Sequence, residues 1–243
     1  MLRPFTSLVS AHPVVLSKPL GIPVPDLRQF APATQRNREP ILALLQSLLP
    51  PGGAVLEISS GTGEHACFLA RHLGPRPWIP SDPNPLARAS ISAWQQAEAV
   101  PNLLPPLDLD VCVTPWPLET DPLPPGLAAW DQTQWSLGAI VNINMIHISP
   151  WEACLGLMAG AGRLLPPGGL LYLYGPYKQG GEHTAPSNAA FDQSLRSQDP
   201  RWGVRDLEAV VTAAQAQGLV WQQTVSMPAQ NLSVIFRREG QGL

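Results

Sequence analysis

The sequence is short of cysteine, and it lacks any long apolar run. Its three cysteines, Cys67, Cys112 and Cys154, are scattered, odd in number and not spaced like metal ligands. Such cysteines are typical of a reducing compartment, so we expect a cytoplasmic protein with small buried thiols and no metal site. No apolar stretch approaches the ~18 residues of a membrane helix, so no membrane partner is predicted.

Charge of either sign is also scarce. Charged residues make up 14% of the chain, and 15 Lys and Arg against 18 Asp and Glu give a net charge of −3. Without a long basic run, a nucleic-acid partner is not expected. The composition favours a small-molecule substrate, and it carries no information on the oligomeric state.

Proline, in contrast, is abundant, with 29 residues in a chain of 243. Five prolines fall within the first 27 residues, where periodicity is weak, so residues 1–29 are predicted to form an extended arm. The alternative is a transit peptide, which Arg3 and Lys18 only faintly suggest. No repeat and no second set of strand and helix signals follows, so residues 30–243 are predicted to form one domain.

Apolar strand-like runs alternate with helical patterns along this domain. The predicted strands are residues 54–58, 77–82, 107–110, 137–144, 170–174, 219–225 and 232–237. The predicted helices are residues 39–49, 64–73, 85–98, 150–165, 188–197 and 206–217. Alternation predicts an α/β, Rossmann-like, mostly parallel sheet of seven strands with helices on both faces. The short link between the last two strands predicts a C-terminal antiparallel pair.

The polar signals of the domain follow the ends of the predicted strands. Ligands of open parallel sheets bind beyond the carboxyl ends of the strands. The signals are Glu57 to Glu64, Asp82, Asp110, Asn142 to His147 and Gly175 to Tyr177. The sequence therefore predicts a single site at that edge of the sheet.

The first strand leads into a glycine turn and then a helix. Gly61 and Gly63 let backbone N–H groups approach a ligand without a Cβ in the way. The carboxylate of Glu57, inside the strand, repels phosphate and argues against a nucleotide-phosphate loop. It suits a ligand with a positive end or with hydroxyl groups.

Two further acids follow the next strands. Asp82, 19 residues after Gly63, is placed to accept hydrogen bonds from ribose hydroxyls; the alternative is that it caps the next helix. Asp110 is placed to accept from an adenine amine, with Asp108 as the rival because the register of that strand is open.

This order of acids, glycine turn and closing strand pair resembles a class I S-adenosylmethionine-dependent methyltransferase. A dinucleotide dehydrogenase is the competitor, but Ala66 stands where its third glycine usually falls. The resemblance implies S-adenosyl-L-methionine as the cofactor. By residues and resemblance, the expected cofactor site comprises Arg36, Glu57, Ser59, Ser60, Gly61, Gly63, Asp82, Asp110, Asn142 and Asn144.

Several short motifs narrow the resemblance to a methyltransferase-like family long filed as a domain of unknown function. They include Ser-Gly-Thr-Gly-Glu-His at 60–65, Asn-Met-Ile-His-Ile-Ser-Pro-Trp at 144–151, Tyr-Gly-Pro-Tyr at 174–177 and Trp-Gly-Val-Arg-Asp at 202–206. The match runs over about residues 30–238. One departure is Gln230-Asn231, where the family usually has two asparagines, a change that keeps an amide but lengthens it.

The acceptor side is expected to carry His147, Tyr174 and Tyr177. His147 is the candidate general base because an ordinary imidazole takes a proton near neutral pH; the alternative is a histidine that holds a loop by hydrogen bonds. The sequence thus predicts methyl transfer to N, O or S of a small molecule. A protein or RNA methyltransferase and a non-catalytic cofactor-binding protein remain alternatives.

Overall fold

The structure, a computed structural model, describes residues 26–128, 130 and 136–240. Most of the expected N-terminal arm, up to residue 25, lies outside the described residues. The helices are α1 (Pro32–Leu48), α2 (Glu64–His72), α3 (Pro85–Glu98), α4 (Trp151–Leu164), α5 (Pro186–Gln198) and α6 (Leu207–Gln215). The strands are β1 (Ala54–Ile58), β2 (Trp78–Pro80), β3 (Leu137–Ile143), β4 (Leu170–Gly175), β5 (Tyr177–Gln179), β6 (Glu182–His183), β7 (Arg205–Asp206), β8 (Leu219–Met227) and β9 (Asn231–Arg238).

Six of these strands form the main sheet, in the order β2-β1-β3-β4-β9-β8. The first four are mutually parallel, and β9 pairs antiparallel with both β4 and β8. The predicted α/β class, parallel core and closing antiparallel pair are therefore confirmed. The carboxyl ends of β1, β2, β3 and β4 meet at one edge, which positions the polar residues predicted there.

The predicted count of seven strands is wrong, because residues 107–110 do not form one. This segment follows β2 in parallel but makes only isolated bridges, at Leu103 and Leu107. Pro105 and Pro106 lie between the bridges and supply no backbone N–H, so a continuous ladder cannot form.

Alternating side chains of the sheet pack against helices on its two faces. On one face β1, β3 and β4 bury apolar residues against α1 and α2, with Ile41 and Leu45 fully covered. On the other face they pack against α4 and α6, where Leu157 and Val210 are fully covered. The parity of a side chain on its strand therefore decides which flank of the site it reaches.

The first helix begins earlier than predicted, at Pro32 rather than residue 39. Pro32 occupies the first turn, where a missing N–H costs nothing, and Pro40 lies inside the helix. The first half of α1 buries the polar side chains Thr34 and Asn37, so it shows no apolar periodicity in the sequence. Because of this, Arg36 and Asn37 lie on the helix rather than in a loop before it.

A small second sheet, which the sequence did not predict, covers the polar stretch after β4. Its order is β6-β5-β7, and β5 pairs in parallel with β7 through Tyr177 and Arg205.

Within the described residues, no helix combines the length and apolar character needed to cross a membrane. Cys67 and Cys154 are buried as expected, whereas Cys112 is exposed, and all three thiols are free.

Candidate functional site

The glycine turn joins β1 to α2, and its two glycines, Gly61 and Gly63, have different structural roles. Gly63 has φ +89°, and a Cβ there would lie 2.8 Å from the Ile91 backbone, so this glycine lets α2 approach α3. Gly61 has φ +55°, and nothing lies within 4 Å of where its Cβ would be. The side of the turn at Gly61 is therefore open. Ser59, directly after β1, also has a positive φ of 55°.

Ser60 and Glu57 hold the turn from inside. The Ser60 Oγ accepts from the Ser81 N–H at 3.3 Å, which ties the end of β1 to the end of β2. The Glu57 carboxyl accepts a 2.6 Å hydrogen bond from the Trp78 indole. Burial raises the pKa of Glu57 to about 7, against the opposing effects of the Trp78 and Ser60 hydrogen bonds.

Asp82 faces the turn from the end of β2. One carboxylate oxygen accepts from the Gly61 N–H at 3.0 Å and the other from the Asn84 N–H at 2.9 Å. A carboxylate has about four lone-pair sites, so each oxygen keeps capacity for another donor. The N-cap of α3 is Asn84, which accepts from the Leu86 N–H, so the capping alternative for Asp82 is wrong.

The register left open at residues 107–110 is resolved by burial. Leu107 and Leu109 are buried, and Asp108 and Asp110 both point outward. Asp108 forms an ion pair with Arg88 at 3.0 Å, while Asp110 accepts from the Cys112 N–H. Among the described residues, no cation forms an ion pair with Asp110.

Asn142 and Asn144 close the edge of the sheet next to the turn. Asn142 is 1% exposed, and its Nδ2 donates to the Ile58 carbonyl at 3.0 Å. Its Oδ1 has no hydrogen-bond partner among the residues that the structure describes. The strand ends at residue 143, and Asn144 has φ +66°. The predicted strand over residues 137–144 would have placed both amides in one strand, and this prediction is wrong. Asn144 instead precedes a 3-10 turn (Met145–His147).

Tyr174 lies on the α1 face of the sheet, with Arg36 and Asn37 from α1 and Asn231 from β9 around it. Burial raises the pKa of its hydroxyl, while hydrogen bonds with Asn37 and Asn231 and the Arg36 charge oppose that rise. Asn37 Oδ1 also lies 2.8 Å from His65 Nε2, which ties α1 to the helix after the glycine turn.

His147 and Tyr177 lie on the opposite, α4 face, and neither side chain has any exposed surface. Their rings meet edge to face at 4.9 Å. Burial and then the Arg205 charge lower the pKa of His147 to about 3. An imidazole with so low a pKa has too little affinity for a proton to serve as the general base expected from the sequence.

A close approach fixes the corner between these residues. A Cβ built on Gly175, at the end of β4, would lie 2.5 Å from His147 Nε2 and 3.2 Å from Asn144 Oδ1.

We therefore expect Gly175→Ala to lower the free energy of unfolding by about 1–3 kcal/mol in urea denaturation, because the His147 ring must shift. Gly52→Ala is the control, since open space surrounds Gly52; equal effects of the two would contradict the packing argument.

The structure thus brings most of the predicted residues to one edge of the sheet, on two flanks. Glu57, Tyr174 and Arg36 belong to the α1 flank, and Asn142, His147 and Tyr177 to the α4 flank. The sequence prediction omitted Asn231 and Arg205 from the site. Arg205 lies in the motif at 202–206, and Asn231 lies in the Gln230-Asn231 pair. Their contacts are with residues far away in the sequence, so the sequence did not indicate their place in the site. Among the described residues there is no group of three or more His, Cys, Asp or Glu side chains suited to a metal ion.

Three solved structures with a similar architecture are described as methyltransferases. An O-methyltransferase family protein from Burkholderia thailandensis is 14% identical, with a TM-score of 0.66, over 86% of this chain and 58% of that one. An O-methyltransferase family 2 protein from Planctomyces limnophilus, solved with apigenin, is 18% identical, with a TM-score of 0.67, over 85% and 57%. The S-adenosylmethionine-dependent methyltransferase SibL is 17% identical, with a TM-score of 0.64, over 86% and 56%.

The chain spans somewhat more than half the length of these three structures, and at such identities the likeness concerns the fold. The family profile described as "Protein of unknown function (DUF938)" matches residues 28–238, which is most of the chain. The chain therefore belongs to the DUF938 family, and it has a methyltransferase-like fold.

Proposed function

We propose that the protein is an S-adenosylmethionine-dependent methyltransferase that acts on N, O or S of a small-molecule metabolite. The observation that carries the proposal is the buried Asn142 Oδ1 at the carboxyl end of β3, an acceptor that has no partner within the described part of the chain. A buried polar atom of this kind is costly unless a ligand or water satisfies it. The α-amino group of the cofactor's methionine end is a matching donor.

The other residues of the edge fit the remaining parts of the same cofactor. Asp82 keeps lone pairs for the two ribose hydroxyls, and the open side of the turn at Gly61 leaves room beside them. Asp110 would accept from the adenine amine, and the exposed guanidinium of Arg36 would pair with the methionine carboxylate. When bound, the cofactor supplies an activated methyl group on a positively charged sulfur.

The proposed task of the protein is alignment and exclusion of water rather than proton chemistry. Asn144, at the left-handed bend after β3, presents a polar side chain at the proposed acceptor edge. Tyr174 borders that edge on one flank, and His147 and Tyr177 stiffen the other through their edge-to-face contact. An acceptor group with a free lone pair needs no base at this position.

Asp110 and Asp108 provide a matched pair of variants. We expect Asp110→Asn to weaken S-adenosylmethionine binding about tenfold, through loss of a charge-assisted hydrogen bond. Asp108→Asn, which removes only the ion pair with Arg88, should leave the Kd within about twofold. Calorimetric titration of the two variants measures both; equal Kd values would contradict the adenine assignment.

The alternatives differ in the acceptor that they require. A net charge of −3 disfavours an RNA acceptor. S-adenosylmethionine labelled in its methyl group, incubated with separated metabolite, protein and RNA fractions, tests the proposal. We expect label in the metabolite fraction; label in protein or RNA alone would replace the proposed substrate class.

A further inference from the structure

The turn after β3 is clamped by a segment almost 60 residues further along the chain. The Arg205 guanidinium donates to two of the turn's carbonyls, through Nε to Ile146 O at 2.8 Å and Nη2 to Ser149 O at 2.5 Å. The Gly203 N–H donates to the His147 carbonyl at 2.9 Å. Residues 203–205 thus hold the backbone of residues 146–149 at three points.

The clamp is itself anchored on two sides. Arg205 pairs with Tyr177 in the small sheet, directly beside the end of β4. The Asp192 carboxylate of α5 accepts from the Val204 N–H at 2.7 Å and from Arg196 Nε at 2.8 Å. Because these anchors come from separate elements, the clamp has little freedom to move relative to the sheet.

The same segment determines which nitrogen of His147 carries the proton. The Arg205 backbone N–H donates to His147 Nδ1 at 3.3 Å, so the neutral ring must hold its proton on Nε2. Nε2 is buried, has no hydrogen-bond partner in residues 26–128, 130 and 136–240, and lies at the corner between Gly175 and Asn144. His147 therefore offers a donor N–H at this corner, not a free lone pair.

We propose that Arg205 and His147 are positioning residues that hold Asn144 at the carboxyl end of β3, with His147 acting as a neutral hydrogen-bond donor. The positioning role in methyl transfer depends on the proposed function. The protonation state assigned to His147 does not depend on it. Of the described residues, three with ionisable side chains face the ring: Arg205 from β7, Asp192 from α5 and Tyr177 from β5. Burial and then the Arg205 charge lower the pKa of His147 by more than the Gly203 backbone hydrogen bond and the Asp192 charge raise it, which keeps the ring uncharged.

Nitrogen-15 NMR of the five histidine rings tests the protonation without cofactor or substrate. The His147 signals are assigned by their loss in His147→Asn, whose side-chain oxygen can still accept from Arg205. We expect Nδ1 in its unprotonated position, and no titration between about pH 5 and 8. A ring that titrates in this range, or that carries its proton on Nδ1, overturns the inference.

Arg205→Lys tests the positioning role, because lysine keeps the charge but cannot reproduce the planar fork that bridges two carbonyls. We expect the His147 signals to show a mixture of tautomers and methyl transfer to fall roughly tenfold or more, with the Kd for S-adenosylmethionine within about threefold of wild type. Arg201→Lys is the control, since the Arg201 side chain pairs only with Asp199 at the surface among the contacts described.

The outcomes separate the inference from the proposed function. Unchanged ring signals and unchanged turnover in Arg205→Lys would overturn the positioning role. Absence of S-adenosylmethionine binding in the wild type would instead overturn the proposed function, and the NMR result would still decide the protonation of His147. If Arg205→Lys fails to fold, the wild-type ring spectra alone still decide whether His147 is a donor.

Discussion

Replacing Asp82 with alanine should raise the Kd for S-adenosylmethionine at least about 100-fold, equivalent to roughly 3 kcal/mol. Two effects add. The ribose hydroxyls lose a charged acceptor, and hydrogen bonds to a charged group contribute about 1.5–3 kcal/mol each. The N–H groups of Gly61 and Asn84 also lose their acceptor, which removes one of the hydrogen bonds that tie the glycine turn to the end of β2.

Asp82→Asn separates these two effects. An asparagine keeps the shape and one acceptor oxygen, so it can still tie the turn at Gly61, but it offers no charge to the ribose. We expect its Kd to lie between those of the wild type and Asp82→Ala, as measured by calorimetric titration. Circular dichroism and urea unfolding establish that both variants are folded. A folded Asp82→Ala protein that binds within about threefold of wild type would contradict the ribose assignment.

Replacing Glu57 with glutamine should stabilise the protein above neutral pH by about 3 kcal/mol and change little at pH 4. The folded carboxyl has a pKa of about 7, against an ordinary value of 4.5. Between these values the folded state keeps a proton that the unfolded chain has released. The contribution of Glu57 to the free energy of unfolding therefore falls as pH rises from about 4.5 to 7 and levels off above 7.

Glutamine removes this dependence, because its amide has no proton to lose and its oxygen can still accept from the Trp78 indole. The measurement is urea unfolding of both proteins at pH 4, 6 and 8. Glu98→Gln is the control; that carboxylate pairs with Arg71 near the surface, so its removal should change stability by less than about 1 kcal/mol. An effect of Glu57→Gln that is equal at all three pH values would show that burial does not raise the Glu57 pKa.

Much of the fold followed from apolar periodicity. The strand at Ala54–Ile58 and the helix at Pro85–Glu98 were predicted with the bounds that the structure has. The beginning of α1 was missed because its buried side chains there, Thr34 and Asn37, are polar. The predicted strand at residues 107–110 does not form, because Pro105 and Pro106 before it lack the N–H groups that a strand ladder needs.

For the candidate site, the location could be predicted more readily than the roles of single side chains. Parallel strands bring their carboxyl ends to one edge, so Asp82 and Asn142 follow from topology. The state of His147 depends on a hydrogen bond from Arg205, 58 residues away, and on complete burial. Neither feature leaves a local pattern, so the sequence presented His147 as an ordinary histidine and therefore as a base.

The most direct test of the account is calorimetric titration of the wild-type protein with S-adenosylmethionine, its demethylated product and NAD⁺. We predict saturable binding of the first two, with one site per chain, and no binding of NAD⁺. The orphaned Asn142 oxygen and the Asp82 carboxylate have matching donors in both sulfur compounds. Binding of NAD⁺ alone, or no heat with either sulfur compound, would contradict the proposed cofactor and with it the proposed function.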